Sequence, residues 1–389
     1  MNKKRIGIIF GGNSPEHDVS LESAYSVITN MNEEKYDKVL IGITKEGNWY
    51  KYEGEVENIK NNTWKQKGKC TKIVLSTNTS DKGIIELENN NQLTKLDAIF
   101  PVLHGSNGED GTIQGLIKLS GIPLVGCDTL SSSLCMDKHL SHKIVESYGI
   151  KVAKGIVINN NTSITEVNEK LKQLKYPVFV KPIRAGSSFG ITKVKNESEI
   201  EGAIKEALKY DTEIIIEENI DGIELGCAVL GNEELIVGEI DEIELSTEFF
   251  SYPEKYTLET SKIHVPARID KKISDEAKET AKKIYKILKC RNLARVDMFL
   301  TPKGEIYFNE INTIPGFTSH SRYPSMMKQV GINFEQLIDK LIELGIEETE
   351  MYIESPLREK NSIKSLGLHC ISPLKKLLNS NEVCNIPIQ

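Results

Sequence analysis

The sequence predicts an α/β protein of several domains that begins with an open parallel sheet. Three observations predict it: short apolar runs that end in glycine-rich turns, helical spacing between those runs, and a length too great for one core. At 389 residues the chain exceeds a typical single domain, so two or three packed domains are expected. Hydrophobic residues at 39% are enough to build them.

The 49 basic and 56 acidic side chains leave a formal charge of −7 without a polybasic run. That balance argues against a nucleic-acid partner. No apolar stretch reaches the roughly 18 to 20 residues that span a bilayer, and MNKKR runs directly into a strand. Neither a signal peptide nor a membrane anchor is expected. Seven scattered cysteines without a CxxC pair fit reduced thiols in a cytoplasmic protein better than a disulfide framework or a zinc site.

Taken in order, RIGIIF (5–10) reads as a buried strand running into Gly11-Gly12-Asn13-Ser14-Pro15-Glu16, a position that suits a ligand loop and equally a tight turn. The turn is not GxGxxG, so a dinucleotide is not supported. Helical spacing follows from Ser20 to Met31, VLIGIT reads as a second strand, and DAIFPVLHG ends a third in another glycine-rich loop. Two Asn-rich stretches near 54–67 and 75–93 read as a surface excursion. From Ser131 a second α/β unit begins: an amphipathic helix in MDKHLSHKIVESYG, then strands KVAKGIVI and PVFVKPI. Lys181 ends the latter, before Gly186-Ser187-Ser188-Phe189-Gly190 and the strand ITKV. Small residues beside a lysine suit phosphate oxygens; a flexible hairpin turn is an equal alternative. A β-branched strand then ends at Glu217, and Glu224 opens the next. Their carboxylates could receive an adenine amine or ribose hydroxyls, or be surface charges.

From Ala294 to Gly316 two apolar runs flank a Pro-Lys-Gly turn. Glu310 and Asn312, two apart, point to one face of a strand, and the turn folds Asp297 back onto that face. Two carboxylates and an amide oxygen suit Mg²⁺ shared with phosphate oxygens; an ordinary hairpin with solvated carboxylates is the bland alternative. The loop that follows, rich in Gly and Ser, is better suited to contacting a substrate than to closing a core.

The order of these motifs, a glycine loop, HGSNGEDG (His104 to Gly111), Met136-Asp137-Lys138, KPxRxGSS, Arg-x-Asp and EINTIPG (Glu310 to Gly316), resembles the D-alanine:D-alanine ligase family of the ATP-grasp superfamily over residues 3 to 346. The resemblance implies a three-domain ATP-grasp fold: an N-terminal domain at 1–130, a central subdomain at 131–216, a C-terminal subdomain with the metal site at 217–347, and an unassigned extension at 348–389. It implies ATP held with two Mg²⁺ ions, for which Mn²⁺ can substitute, on Asp297, Glu310 and Asn312. Lys138 and Lys181 would contact the phosphates. Glu217, Ile220 and Glu224 match the adenine and ribose region, with Phe179 and Phe299 packing on the base. In the family a D-alanine carboxylate becomes an acyl phosphate that the second amino acid's amine attacks. By that likeness Glu16 would hold the first ammonium with His104 nearby, and Arg295 and the Gly316 amide would stabilise the oxyanion. Ser187 would link Glu16 to Tyr256 and a lid from Phe249 to Tyr256 that includes Lys255. Ser321 would bind the second carboxylate. A homodimer is the family's common state.

Arg322 follows Ser321 where D-alanyl-D-alanine-forming relatives usually have Leu or Met, and the block FFSYPEKYTLETSKIHVPARI is most similar to VanG-type D-alanine:D-serine ligases. An arginine can hydrogen-bond a serine hydroxyl. The resemblance therefore points to D-serine as second substrate and a role in vancomycin resistance. Housekeeping D-alanyl-D-alanine synthesis is the runner-up. A catalytically silent ATP-binding regulatory protein is the reading from another class, one that loss of a metal ligand or of Lys181 would favour.

Overall fold

The computed structural model describes residues 3–88, 90–245 and 261–353. The chain divides into two compact units, Met1–Thr349 and Glu350–Gln389. Within the described residues the second contains only the end of the helix Phe334–Ile353. Lys255, Tyr256 and the rest of the expected lid lie outside the described residues, as does most of the C-terminal extension.

In the first unit the described strands form three sheets, of seven, four and six strands. The first strand, Lys4–Gly11, is buried at its last six positions, as a parallel strand covered on both faces must be. Ile6, Ile8 and Phe10 pack with Leu21, Ala24 and Ile28 of the helix His17–Asn30. Ile9 joins Ile113 and Ile117 of the helix Thr112–Ser120 in a separate core. This strand pairs in parallel with Tyr36–Ile43 and with Ala98–Pro101, the second and third strands expected from sequence.

Beyond Tyr36–Ile43 the sheet continues antiparallel through Trp49–Glu53, Lys69–Leu75, Gly83–Glu86 and Gln92–Lys95. The Asn-rich stretches are thus not the surface excursion their composition suggested. Two strands come from the region of the second, and the first buries Ile59 and Trp64. The indole meets Phe10 edge-on, with ring centroids 5.3 Å apart. Its slot exists because residue 42 is glycine, where a Cβ would come within 2.7 Å of the indole. Polar neighbours dominate the composition of this stretch, but two large apolar side chains decide its burial.

The second sheet runs Thr192–Val194, Val178–Pro182, Glu213–Glu218, Gly155–Asn159 in spatial order, all antiparallel. Helices Ile164–Leu171 and Ile200–Ala207 close a core on Val178, Val180, Ile214 and Ile216. The third runs Ser261–His264, Ile236–Leu245, Ile223–Leu230, Leu293–Leu300, Ile306–Asn312, Lys151–Val152 and packs on Ala277, Ala281 and Ile284 of the helix Lys271–Ile287. KVAKGIVI is therefore two strands in two sheets, with Lys151–Val152 parallel to Ile306–Asn312. Among the described residues no helix is long and apolar enough to cross a membrane.

Candidate active site

In the hairpin of Leu293–Leu300 and Ile306–Asn312, Asp297 stands opposite Glu310 and Arg295 opposite Asn312. Opposed residues of an antiparallel pair share a face, so these four side chains converge. The convergence depends on a bulge. The register shifts between Asp297 and Met298, which face Glu310 and Phe308 respectively, leaving Asn309 as the extra residue. Phe308 and Ile311 both lie in the core under the sheet, an odd separation that a regular strand cannot place on one side. Without the bulge, Glu310 and Asn312 would share Phe308's face and point into the core.

The carboxylates are neutralised within the chain. Arg295 grips Asp297 bidentately, Nε to Oδ1 at 2.8 Å and Nη2 to Oδ2 at 2.7 Å, and Asn312 Nδ2 donates to Asp297 Oδ2 at 3.0 Å. Lys138 Nζ lies 3.6 Å from Glu310 Oε2. Arg322 Nη2 also stands 3.4 Å from Asp297 Oδ1, and the four oxygens of the two carboxylates can each accept more than one contact. With the Asn312 amide oxygen they form the hard-donor set that a divalent cation takes. Among the described residues no group of three His, Cys, Asp or Glu could hold a metal.

Asp137 caps the helix Lys138–Ser147 by accepting from Leu140 N at 2.8 Å, which explains the Asp of Met-Asp-Lys. Lys138 is the helix's first residue and is buried, with its ammonium on Ala185 O at 2.8 Å. On the second sheet Phe179 and Glu217 are register partners, and Lys181 stands two residues on, so all three share a face. Lys181 Nζ donates to Glu217 Oε2 at 2.7 Å and sits 5.6 Å from the Phe179 ring centroid. Burial pushes the Glu217 carboxyl up, but the charges of Lys181 and His142 outweigh it and hold it well below the usual carboxylate range. Ile220 is partly exposed in the turn leading to Ile223–Leu230. Phe299 pairs with Glu224 across the third sheet, on the face of Asp297.

Glu16 is buried beside the glycine-rich loop and accepts from Ser187 Oγ. Ser187 and Ser188 both have positive φ, 48° and 60°, a conformation that is costly for non-glycine residues and recurs at functional loops. His104 is buried with Nδ1 3.0 Å from Ile314 O and Nε2 3.0 Å from Ser23 Oγ. Nδ1 must therefore carry the proton and Nε2 accept. Burial, helped by the charge of Arg295, brings its pKa down to about 4. Ser321 precedes the helix Arg322–Gln329 at the N-cap position without a side-chain cap bond, and its Oγ accepts from Thr318 N at 3.0 Å. A Cβ on Gly316 would lie 3.3 Å from Ser321 Oγ, placing that backbone beside the helix start.

Arg322, expected to face a substrate hydroxyl, is engaged within the chain. Its Nε and Nη2 fork onto Asp241 at 2.7 and 2.8 Å, and Nη1 reaches Glu224 at 3.2 Å. Room for the fork comes from Gly226, the register partner of both Asp241 and Asp297, where any Cβ would collide with the pair. Sequence reasoning missed Asp241. Its stretch, IVGEIDEIEL, holds four carboxylates, and nothing in the sequence marks Asp241 as the fully buried one. It also missed Glu109, which accepts from Gly105 N at 2.8 Å and Ile314 N at 3.3 Å, and His142, which lies one helical turn from Lys138.

Two family models match this chain: one described as the D-ala D-ala ligase N-terminus over residues 5–127 and one as the D-ala D-ala ligase C-terminus over residues 144–343. A D-alanine–D-alanine ligase of Caldicellulosiruptor bescii is 44% identical over 94% of this chain and 99% of that protein. The vancomycin/teicoplanin A-type resistance protein VanA of Enterococcus faecium is 46% identical over 89% of this chain and 99% of that protein. Among solved structures, the VanG D-Ala:D-Ser ligase from Enterococcus faecalis superposes with a TM-score of 0.83 at 55% identity, covering 88% of this chain and all of that one.

Proposed function

The chain belongs to the D-alanine–D-alanine ligase family of ATP-dependent ligases, with the ATP-grasp fold of that family, and on that footing we propose that it joins D-alanine to D-serine. One observation carries the reading. The bulged hairpin face of Arg295, Asp297, Glu310 and Asn312 lies against Lys138, and Ser187 ties the loop after Lys181 to Glu16. Phosphoryl chemistry and an amino-acid ammonium thus have adjoining places.

A carboxylate resists an amine until one oxygen becomes a leaving group, and phosphorylation by ATP supplies that. Glu16 receives the ammonium of the first D-alanine, and Lys138 and Lys181 contact the phosphates. Mg²⁺ on Asp297, Glu310 and Asn312 would neutralise phosphate charge and orient the terminal phosphoryl group. Arg295 and the Gly316 amide face the oxyanion that forms as the second amine attacks. The carboxylate of that second substrate meets Ser321 at the start of Arg322–Gln329, where backbone N–H groups favour an anion. His104, with both ring nitrogens used by the chain, shapes the first pocket. Phe179, Ile220, Phe299, Glu217 and Glu224 receive the nucleoside. Tyr256 and Lys255 belong to the lid. The three-part division at 130 and 216, a homodimer and a cytoplasmic setting belong to the same reading.

D-Serine as the acceptor is supported by Arg322 standing directly after Ser321 and by the 55% identity to a protein titled a D-Ala:D-Ser ligase. D-Alanyl-D-alanine synthesis is the second reading, supported by the Caldicellulosiruptor relative of that name. The test is ATP hydrolysis with D-alanine plus D-serine, D-alanine or D-lactate, with the product identified by mass. D-Alanyl-D-serine should dominate at equal acceptor concentrations near neutral pH; an excess of D-alanyl-D-alanine refutes the serine assignment. Absence of amino-acid-dependent phosphate release refutes the ligase reading for this chain.

A further inference from the structure

The helix Lys138–Ser147 buries Lys138, Ser141, His142 and Val145, the single stripe that helical spacing allows. Lys138 and His142 therefore leave it in the same direction, one turn apart. His142 is almost fully buried, and its ring bridges two sheets. Nε2 lies 2.6 Å from Asn309 O, the carbonyl of the bulged residue. Nδ1 lies 3.1 Å from Glu217 Oε1, whose partner oxygen holds Lys181. Phe308 meets the ring edge-on with centroids 5.4 Å apart and fixes its plane.

Both ring nitrogens face oxygens that can only accept. A neutral imidazole has one N–H and one lone pair, so it could satisfy one of these and would set its lone pair against the other. The doubly protonated ring avoids that conflict: Nε2–H donates to the Asn309 carbonyl, while Nδ1–H stands beside Glu217 Oε1, which makes no hydrogen bond, as an ion-pair contact. A single cation then fixes the carbonyl that turns Glu310 and Asn312 to the site face, and the carboxylate that aims Lys181.

Resting on the nucleotide site proposed above, we infer that His142 is a positioning residue for ATP: as an imidazolium it locks the Glu217–Lys181 pair to the Asn309 bulge, so that the base and phosphate contacts and the metal-bearing strand keep one spacing. It touches neither nucleotide nor amino acid. Its removal should weaken nucleotide binding and leave the first D-alanine pocket, built on Glu16 and His104, nearly unaffected. Glutamine at 142 cannot donate to both oxygens without turning its own carbonyl toward one of them, whereas a lysine ammonium has three donors and the positive charge.

The experiment uses full-length protein: ATP binding by titration calorimetry, together with KM for ATP, KM for D-alanine and kcat, for wild type, His142→Gln, His142→Lys, Glu217→Gln and the double variant His142→Gln/Glu217→Gln. His142→Gln should lose about tenfold or more in ATP affinity with KM for D-alanine within about twofold, and His142→Lys should stay within about threefold of wild type. The double variant should bind ATP about as weakly as the worse single one, since the two residues act through one link. Equal losses in the Gln and Lys variants, parallel rises in both KM values, or additive effects in the double variant would overturn the inference. If His142→Gln does not fold, the lysine variant decides: affinity within threefold supports it and a tenfold loss overturns it. Wild-type protein that binds no ATP would instead remove the nucleotide site itself, an outcome distinct from ATP binding that ignores residue 142.

Discussion

Glu109 offers the sharpest test of how the first-substrate region is held together. Its carboxyl receives two backbone N–H groups, from Gly105 and Ile314, yet burial and the neighbouring charge of Glu16 raise its pKa to about 8 from an ordinary 4.5. Below about pH 4.5 the folded and unfolded chains both carry this proton, and burial of the neutral acid is harmless. Between about 4.5 and about 8 only the folded chain retains it. The unfolded state then binds fewer protons, so stability falls as pH rises, by up to about 1.4 kcal/mol per pH unit. From pH 5 to pH 8 the loss amounts to up to a few kcal/mol, a property of the Glu109–Glu16 pair as a whole. Glu109→Gln keeps the size and one acceptor but cannot ionise. Urea unfolding of both proteins at pH 5, 6, 7 and 8 should show the variant gaining on wild type by that amount across the series. Saturating D-alanine, whose ammonium would sit beside both carboxylates, should flatten the wild-type curve. A stability difference constant within about 1 kcal/mol would refute the reasoning, because Glu109 would then be ionised in the folded protein throughout.

Three further outcomes are expected. Gly226→Ala drives a methyl group into the Arg322–Asp241 fork and should lower unfolding free energy by about 3 to 5 kcal/mol, the usual effect of breaking a buried pair; a loss under about 1 kcal/mol in urea titration would show that the fork can shift aside. Arg322→Met strands Asp241 and should be destabilising to a similar degree, about 3 to 5 kcal/mol. Arg322→Met with Asp241→Leu should recover most of that stability and turn acceptor preference from D-serine to D-alanine, so an unchanged product ratio in the double variant would separate the network from specificity. Chelation with EDTA should abolish amino-acid-dependent phosphate release, and Mg²⁺ or Mn²⁺ should restore it. Glu310→Gln should raise the Mg²⁺ needed by about tenfold or more, and an unaltered Mg²⁺ requirement would place the metal elsewhere.

The strands and the motif-bearing loops could be read from sequence because each is specified by neighbours a few residues away. RIGIIF, the Lys138 helix and the hairpin at Leu293–Asn312 all lie where period and turn residues put them. What escaped depends on partners far along the chain. Trp64 is buried because Gly42 opens a slot for it, and Arg322 is occupied because Asp241, 81 residues earlier, reaches the same gap above Gly226. The bulge lies between these cases. Its trace was present in IYFNEIN, where Phe308 and Ile311 cannot both face the core of an unbroken strand. Spacing alone placed Glu310 and Asn312 together. Only the parity conflict tells which side of the sheet they occupy.

That conflict makes Ile306–Asn312 a strand written in two reading frames, joined at Asn309. Its side chain is not what the joint requires; a residue's length of backbone and one carbonyl are. Position 309 should therefore accept many amino acids and tolerate no deletion, since losing one residue would merge the frames and carry Glu310 and Asn312 under the sheet. Chain length at this point, rather than chemical identity, is the inherited information.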